Sequence, residues 1–146
     1  MKLTFDDSVE AFRAEVVAWL ADNRPSVEEM RADPALSSAH VPDWCRAWIG
    51  RQFDAGLLVP GWPPELGGRG ASAVETLVYV EELNRIGVPR HTNPQGFGII
   101  VPSIMDYGTP EQIERYAMPI LRGELPACLG MSEPGAGSSP RRIGMA

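Results

Sequence analysis

Between Gly56 and Gly70 the chain reads GLLVPGWPPELGGRG, and its three prolines and five glycines forbid any helix or strand from running through. The segments on either side must therefore form separate elements, joined by an ordered turn system or a mobile loop. Before it, Val9, Phe12, Val16 and Trp19 recur at three- and four-residue spacing, which predicts an amphipathic helix from Asp7 to about Asn23. Asp7 and Glu10 are placed as its capping box, and Arg24 and Pro25 end it. Residues 25–40 lack a sustained apolar period and read as a connection with a short helical turn. A second helix is expected from Asp43 to about Ala55, with Trp44 stacked on Trp48 and with Cys45, Ile49 and Phe53 on the adjoining stripe. Gly56 stops it.

After the loop, Ser72 and Glu75 repeat the capping-box spacing and open a helix through about Ile86, with Ala73, Leu77, Val80 and Leu83 as its apolar face. Gly87 and Pro89 close it. A further helix begins after Asn93, with Pro94 in its first turn, Phe97, Ile100, Val101, Ile104 and Met105 turned inward, and Pro102 as a kink. Thr109, Pro110 and Gln112 mark the sharpest helix start in the chain, followed by an i,i+4 pair of Glu111 with Arg115. That helix is expected to fade near Pro119. Ala127 to Met131 is apolar, brief and bounded by turn formers, and reads as a short buried strand or extended segment. The expected fold is all-α, an orthogonal helical bundle with a short extended segment at its C-terminal end.

Composition excludes several functions. A formal charge of -6 and a pI near 4.9 oppose broad binding to a phosphate backbone, so nucleic acid is not an expected partner. No segment offers the roughly 20 consecutive apolar residues of a membrane span, and the N-terminus carries no secretory signal. Cys45 and Cys128 lie far apart and read as free buried thiols of a cytoplasmic protein. His40 and His91 have no metal-spaced partners and are expected on the surface or in loops, so no metal site is expected. Gly96-Phe97-Gly98 is too short for a dinucleotide fingerprint.

The string from Leu129 to Ser138, LGMSEPGAGS, concentrates glycines and small hydroxyl residues behind an apolar run. Gly135 and Gly137 permit positive φ, so backbone N–H groups can converge on an anion, and Ser132 and Ser138 add hydroxyl donors. Together with GLLVPGWPPELGG, VETLVYVEELNRIG and YGTPEQIERYAMPILRGEL in the same order, this string resembles the acyl-CoA dehydrogenase family. The resemblance implies an N-terminal helical domain over 1–126 and the start of a middle β domain over 127–138, followed by an atypical tail over 139–146. It implies FAD-dependent α,β-dehydrogenation of an acyl-CoA thioester in lipid metabolism, with an electron-transfer flavoprotein as redox partner and assembly into homo- or hetero-oligomers. Leu129, Gly130, Met131, Ser132, Gly137 and Ser138 are the implied FAD contacts, with Ser138 also near the acyl-CoA.

No counterpart of the domain that carries the family's catalytic glutamate follows Ser139, and the tail SPRRIGMA departs from the family pattern. The expectation is a truncated or frameshifted oxidoreductase chain that is inactive alone. The alternative is a non-catalytic helical module, or half-subunit, docking on a complete related subunit. Glu65 is expected to order the proline-glycine loop and Glu133 to serve a turn, so no residue of this chain is assigned as catalytic base.

Overall fold

The computed structural model describes residues 5–37 and 40–130. Among them are seven α-helical segments: α1 (Asp7–Asn23), α2 (Val27–Ala32), α3 (Asp43–Asp54), α4 (Ala73–Ile86), α5 (Val101–Tyr107), α6 (Pro110–Gln112) and α7 (Met118–Leu121). The described residues hold no strand. The described part of the chain is thus all-α, as its periodicity predicts.

Helix α3 is the shared wall of two cores. On one side Trp48 joins Val9, Phe12, Val16 and Leu20 of α1 with Val78, Tyr79 and Leu83 of α4. On the other, Cys45 and Ile49 join Leu58, Phe97, Val101 and the α7 residues Ile120 and Leu121. Fully burying one such side chain contributes about 1.5–3 kcal/mol, so both cores are needed to offset the entropy of ordering the chain. The aromatic stack falls between Trp19 and Trp48, 5.4 Å apart, rather than between Trp44 and Trp48. Trp44 instead donates its indole N–H to the Asp33 carbonyl.

Helix starts follow the capping chemistry with one shift. Asp6, not Asp7, caps α1, accepting from the Ser8 and Val9 amides. Ser26 with Glu29, Ser72 with Glu75 and Thr109 with Gln112 form reciprocal capping boxes. The apolar face of α4 is rotated from the expected one: Leu77 is 69% exposed, while Val78, Tyr79, Glu82 and Leu83 are buried. A buried glutamate explains the difference, because Glu82 turns inward to meet Arg13 of α1.

Both internal prolines sit just after a π-helical turn, Gly96–Ile100 before Pro102 and Ile113–Ala117 before Pro119. The Val101 amide bonds the Gly96 carbonyl and the Met118 amide the Ile113 carbonyl, each across five residues. Widening the turn accommodates the proline ring and its missing N–H, so the helix continues through Pro119 to Leu121 instead of fading there. The same widening shifts the i,i+4 register, and Arg115 lies over the Tyr116 ring instead of pairing with Glu111.

The proline-glycine segment is an ordered turn system. A 3-10 turn (Pro64–Leu66) sits inside it, and the Pro60 carbonyl accepts from the amides of Arg69 and Ala71. Glu65 is exposed.

Candidate functional site

The segment leading into the glycine-serine string leaves the bundle at Gly123 and is pinned twice on the way. Arg46 of α3 donates to the Gly123 and Glu124 carbonyls at 3.1 and 3.0 Å. Gly123 takes φ +75°, and an added Cβ there would press on the Arg46 carbonyl and on Ile49, so the turn lies tight against α3.

The second pin is Asn93, which is 1% exposed. Its side-chain amide donates to the Ala127 carbonyl at 2.7 Å and accepts from the Ala127 amide at 3.2 Å, as a neighbouring strand would. The backbone of Ala127 is thus satisfied by a side chain, and of the two expected readings the buried strand is the one corrected, leaving the extended segment: Ala127 is half-buried, Cys128 exposed and Leu129 half-buried. The sequence offered Asn93 only as the residue before Pro94. Its role depends on a contact 34 residues away, which no local pattern encodes.

Beyond this pin, Leu129 and Gly130 have backbone groups with no hydrogen-bond partner among the described residues. A Cβ placed on Gly130 would meet no atom of the described residues within 4 Å. Backbone amide and carbonyl groups are the donor and acceptor types that a flavin edge or a phosphate oxygen requires, so the backbone of Leu129 and Gly130 is chemically compatible with such a group. Met131, Ser132, Glu133, Gly137 and Ser138 lie outside the described residues.

Two groups behind the segment are held in their neutral forms. Burial pushes the Cys45 thiol up, and Thr92 donates a hydrogen bond to its sulfur at 3.4 Å, so this thiol is a core group. Cys128, expected to be buried as well, is exposed, and both cysteines are free. His40 lies at the surface, 4.0 Å from Asp33. His91 lies in a loop, as expected, but is half-buried: its ring stacks on Phe97 at 4.4 Å, and its Nδ1 is buried with no hydrogen-bond partner among the described residues. Burial, helped by the nearby Arg90 charge, lowers its pKa from 6.5 to about 4.

That depression makes folding pH-dependent. As pH falls from 6.5 towards 4 the unfolded chain takes up a proton that the folded chain refuses, so the stability present above 6.5 is progressively lost across that window. Denaturant melts at stepped pH should show this loss, on the order of 2 kcal/mol. His91→Phe keeps the stack and should flatten that part of the profile; an unchanged slope in the variant would assign it to another group.

Among the described residues no cluster of three or more His, Cys, Asp or Glu could hold a metal ion, and no helix is long and apolar enough to cross a membrane.

The acyl-CoA dehydrogenase N-terminal domain family matches residues 6–124. Acyl-CoA dehydrogenase IpdE1 of Mycolicibacterium smegmatis is 40% identical over 134 residues, 89% of this chain and 34% of that protein. IpdE1 of Mycobacterium tuberculosis is 39% identical over 135 residues, with the same shares. Among solved structures, the ChsE4-ChsE5 complex of M. tuberculosis matches 94% of this chain and 33% of that one at 31% identity and a TM-score of 0.65. The Tcur3481-Tcur3483 steroid ACAD matches 94% and 34% at 32% identity and a TM-score of 0.66. The chain therefore spans about a third of the length of the relatives it matches. Helical architecture, ordered motifs and family match agree: the chain belongs to the acyl-CoA dehydrogenase family and carries its N-terminal helical domain.

Proposed function

We propose that this chain supplies one wall of the flavin site of a FAD-dependent acyl-CoA dehydrogenase. The single observation that supports the reading is the double hydrogen bond by which Asn93 holds the Ala127 peptide two residues ahead of the glycine-serine string that carries the family resemblance. Leu129, Gly130, Met131 and Ser132 would hold the flavin ring through backbone and hydroxyl groups, Gly137 would let the backbone approach the pyrophosphate, and Ser138 would serve the pyrophosphate or the acyl-CoA. Bound FAD supplies the two-electron acceptor for oxidation of the acyl Cα–Cβ bond. On this reading residues 1–126 are the helical domain, 127–138 open the middle β domain, and 139–146 are a tail that departs from the family. The protein works in the cytoplasm and passes electrons to an electron-transfer flavoprotein.

Two of the similar solved structures have two components in their names, one of them as a complex and the other as a steroid ACAD. This favours a second, related subunit as partner and a bulky ring-bearing acyl group as substrate. The remaining two thirds of the family fold come either from the same polypeptide or from such a subunit.

The 146-residue chain purified alone is expected to be colourless and to give no acyl-CoA-dependent dye reduction. The assembly isolated from its natural source is expected to carry yellow flavin absorbance and to turn over. Turnover by the 146-residue chain with no second polypeptide would sink the one-wall reading, and a natural assembly free of flavin would sink the site itself.

A further inference from the structure

We infer that Asn93 is the positioning residue for the flavin-facing string: its buried amide sets the direction in which residues 128–130 leave the bundle. The inference rests on the site reading above and concerns how that site is held. Three observations carry it. Asn93 is 1% exposed, and its amide bonds both backbone groups of Ala127. An amide paired with a peptide in this two-point way fixes both the position and the plane of that peptide, which a single hydrogen bond does not. Ala127 is followed by Cys128, Leu129 and Gly130, none with a backbone partner among the described residues, so among those residues the last restrained peptide is that of Ala127.

Room for the amide is provided by Gly96. A Cβ at that position would collide with Asn93 Oδ1, and Ile120 Cγ2 at 3.3 Å closes the other side. Gly96 is also the first residue of the π-turn whose carbonyl receives the Val101 amide. The turn that accommodates Pro102 thus begins at the glycine that makes space for the clamp. Asn93 further accepts the Phe97 amide on its own carbonyl at 3.3 Å, which anchors its backbone to the helix start. The clamp is therefore rigid at its base and paired at its tip.

Aspartate is the discriminating substitution. Its carboxylate keeps the acceptor for the Ala127 amide but offers no donor to the Ala127 carbonyl. Once protonated, a carboxylic acid restores both contacts with the same geometry. In the natural assembly, Asn93→Asp and Asn93→Ala are each expected to raise the Kd for FAD about tenfold at neutral pH, the size expected when a buried carbonyl loses its donor. Both should also speed amide exchange across residues 124–130 with helical circular dichroism unchanged. Lowering the pH should return N93D, but not N93A, towards wild-type affinity. Gly96→Ala, which displaces the amide without altering it, should weaken FAD binding with no recovery at low pH.

Wild-type FAD affinity in N93A and N93D, unchanged exchange across 124–130, equal pH behaviour of the two variants, or loss of helix in both overturns the clamp. Wild-type assembly that binds no FAD overturns the site reading and the clamp with it, and is told apart because the failure then appears without any substitution.

Discussion

Replacing Arg13 by methionine is expected to destabilise the fold by about 3 kcal/mol, although the residue lies on an outer helix. The reason is Glu82, whose side chain is 2% exposed and faces Arg13 Nη1. Arg13 also meets Glu81 at 2.9 Å and Glu10 at 3.5 Å, but those carboxylates are about half exposed, at 53% and 50%. Such exposed pairs contribute about 0–1 kcal/mol each and do not decide the outcome. Removing the guanidinium leaves a carboxylate in the core between α1 and α4. Among the described residues Arg85 alone remains beside it, at 3.5 Å and itself 63% exposed, so the loss falls at the lower end of the range for a broken buried pair. The double variant R13M/E82M should recover most of the loss, to within about 1 kcal/mol of wild type, because two apolar groups fill the space without a charge to desolvate. Chemical denaturation of the single and double variants measures this directly. Equal stability of R13M and wild type would mean that Glu82 is solvated.

The same pair marks where the sequence could be read and where it could not. Helix existence and both ends of α1, α3 and α4 followed from periodicity, proline, glycine and capping residues, because each of those signals acts within four or five residues. The face of α4 did not follow. Apolar counting places a glutamate outside, and only the position of Arg13, 69 residues away, makes an inward Glu82 tolerable. Gln52 escaped for the same reason: it is fully buried, accepts from the Tyr79 hydroxyl at 2.6 Å and donates to the Arg90 carbonyl at 2.8 Å, so it ties α3 to α4 and to the loop after it. Buried polar residues of this kind are satisfied by long-range partners, and long-range partners have no local spacing.

The π-turns show a different limit. A proline inside a helical pattern is read as an end or a kink, and at Pro102 and Pro119 neither rule anticipates that one extra residue in the preceding turn absorbs the ring. Site residues divide along similar lines. The glycine-serine string reads as a ligand-approach segment from local glycine and hydroxyl chemistry alone, and from Met131 on it lies outside the described residues. Its anchorage by Asn93 and Arg46 was not, since each reaches across the fold to a peptide whose own side chain carries no signal.

The proline-glycine turn system should be as sensitive as the buried ion pair, at one particular glycine. Gly68→Ala is expected to cost about 3 kcal/mol. An added Cβ would enter the space of the Trp62 carbonyl and come within 2.6 Å of the Val59 oxygen, and both are backbone atoms that cannot rotate away. The two carbonyls are also engaged, that of Trp62 by the Gly70 amide at 2.9 Å and that of Val59 by the Trp62 amide at 2.8 Å. Relief of the clash must therefore break hydrogen bonds, at about 1 kcal/mol each, on top of overpacking at about 1–3 kcal/mol. Gly70→Ala is the informative control. Gly70 adopts φ +66° but an added Cβ there meets nothing within 4 Å, so only the left-handed backbone penalty of about 1–2 kcal/mol applies. The order G68A below G70A below wild type in denaturation midpoint separates close packing from conformational freedom as the reason for glycine in this segment. If G70A proves the more damaging, backbone conformation rather than the contact with Trp62 and Val59 holds the turn system in place.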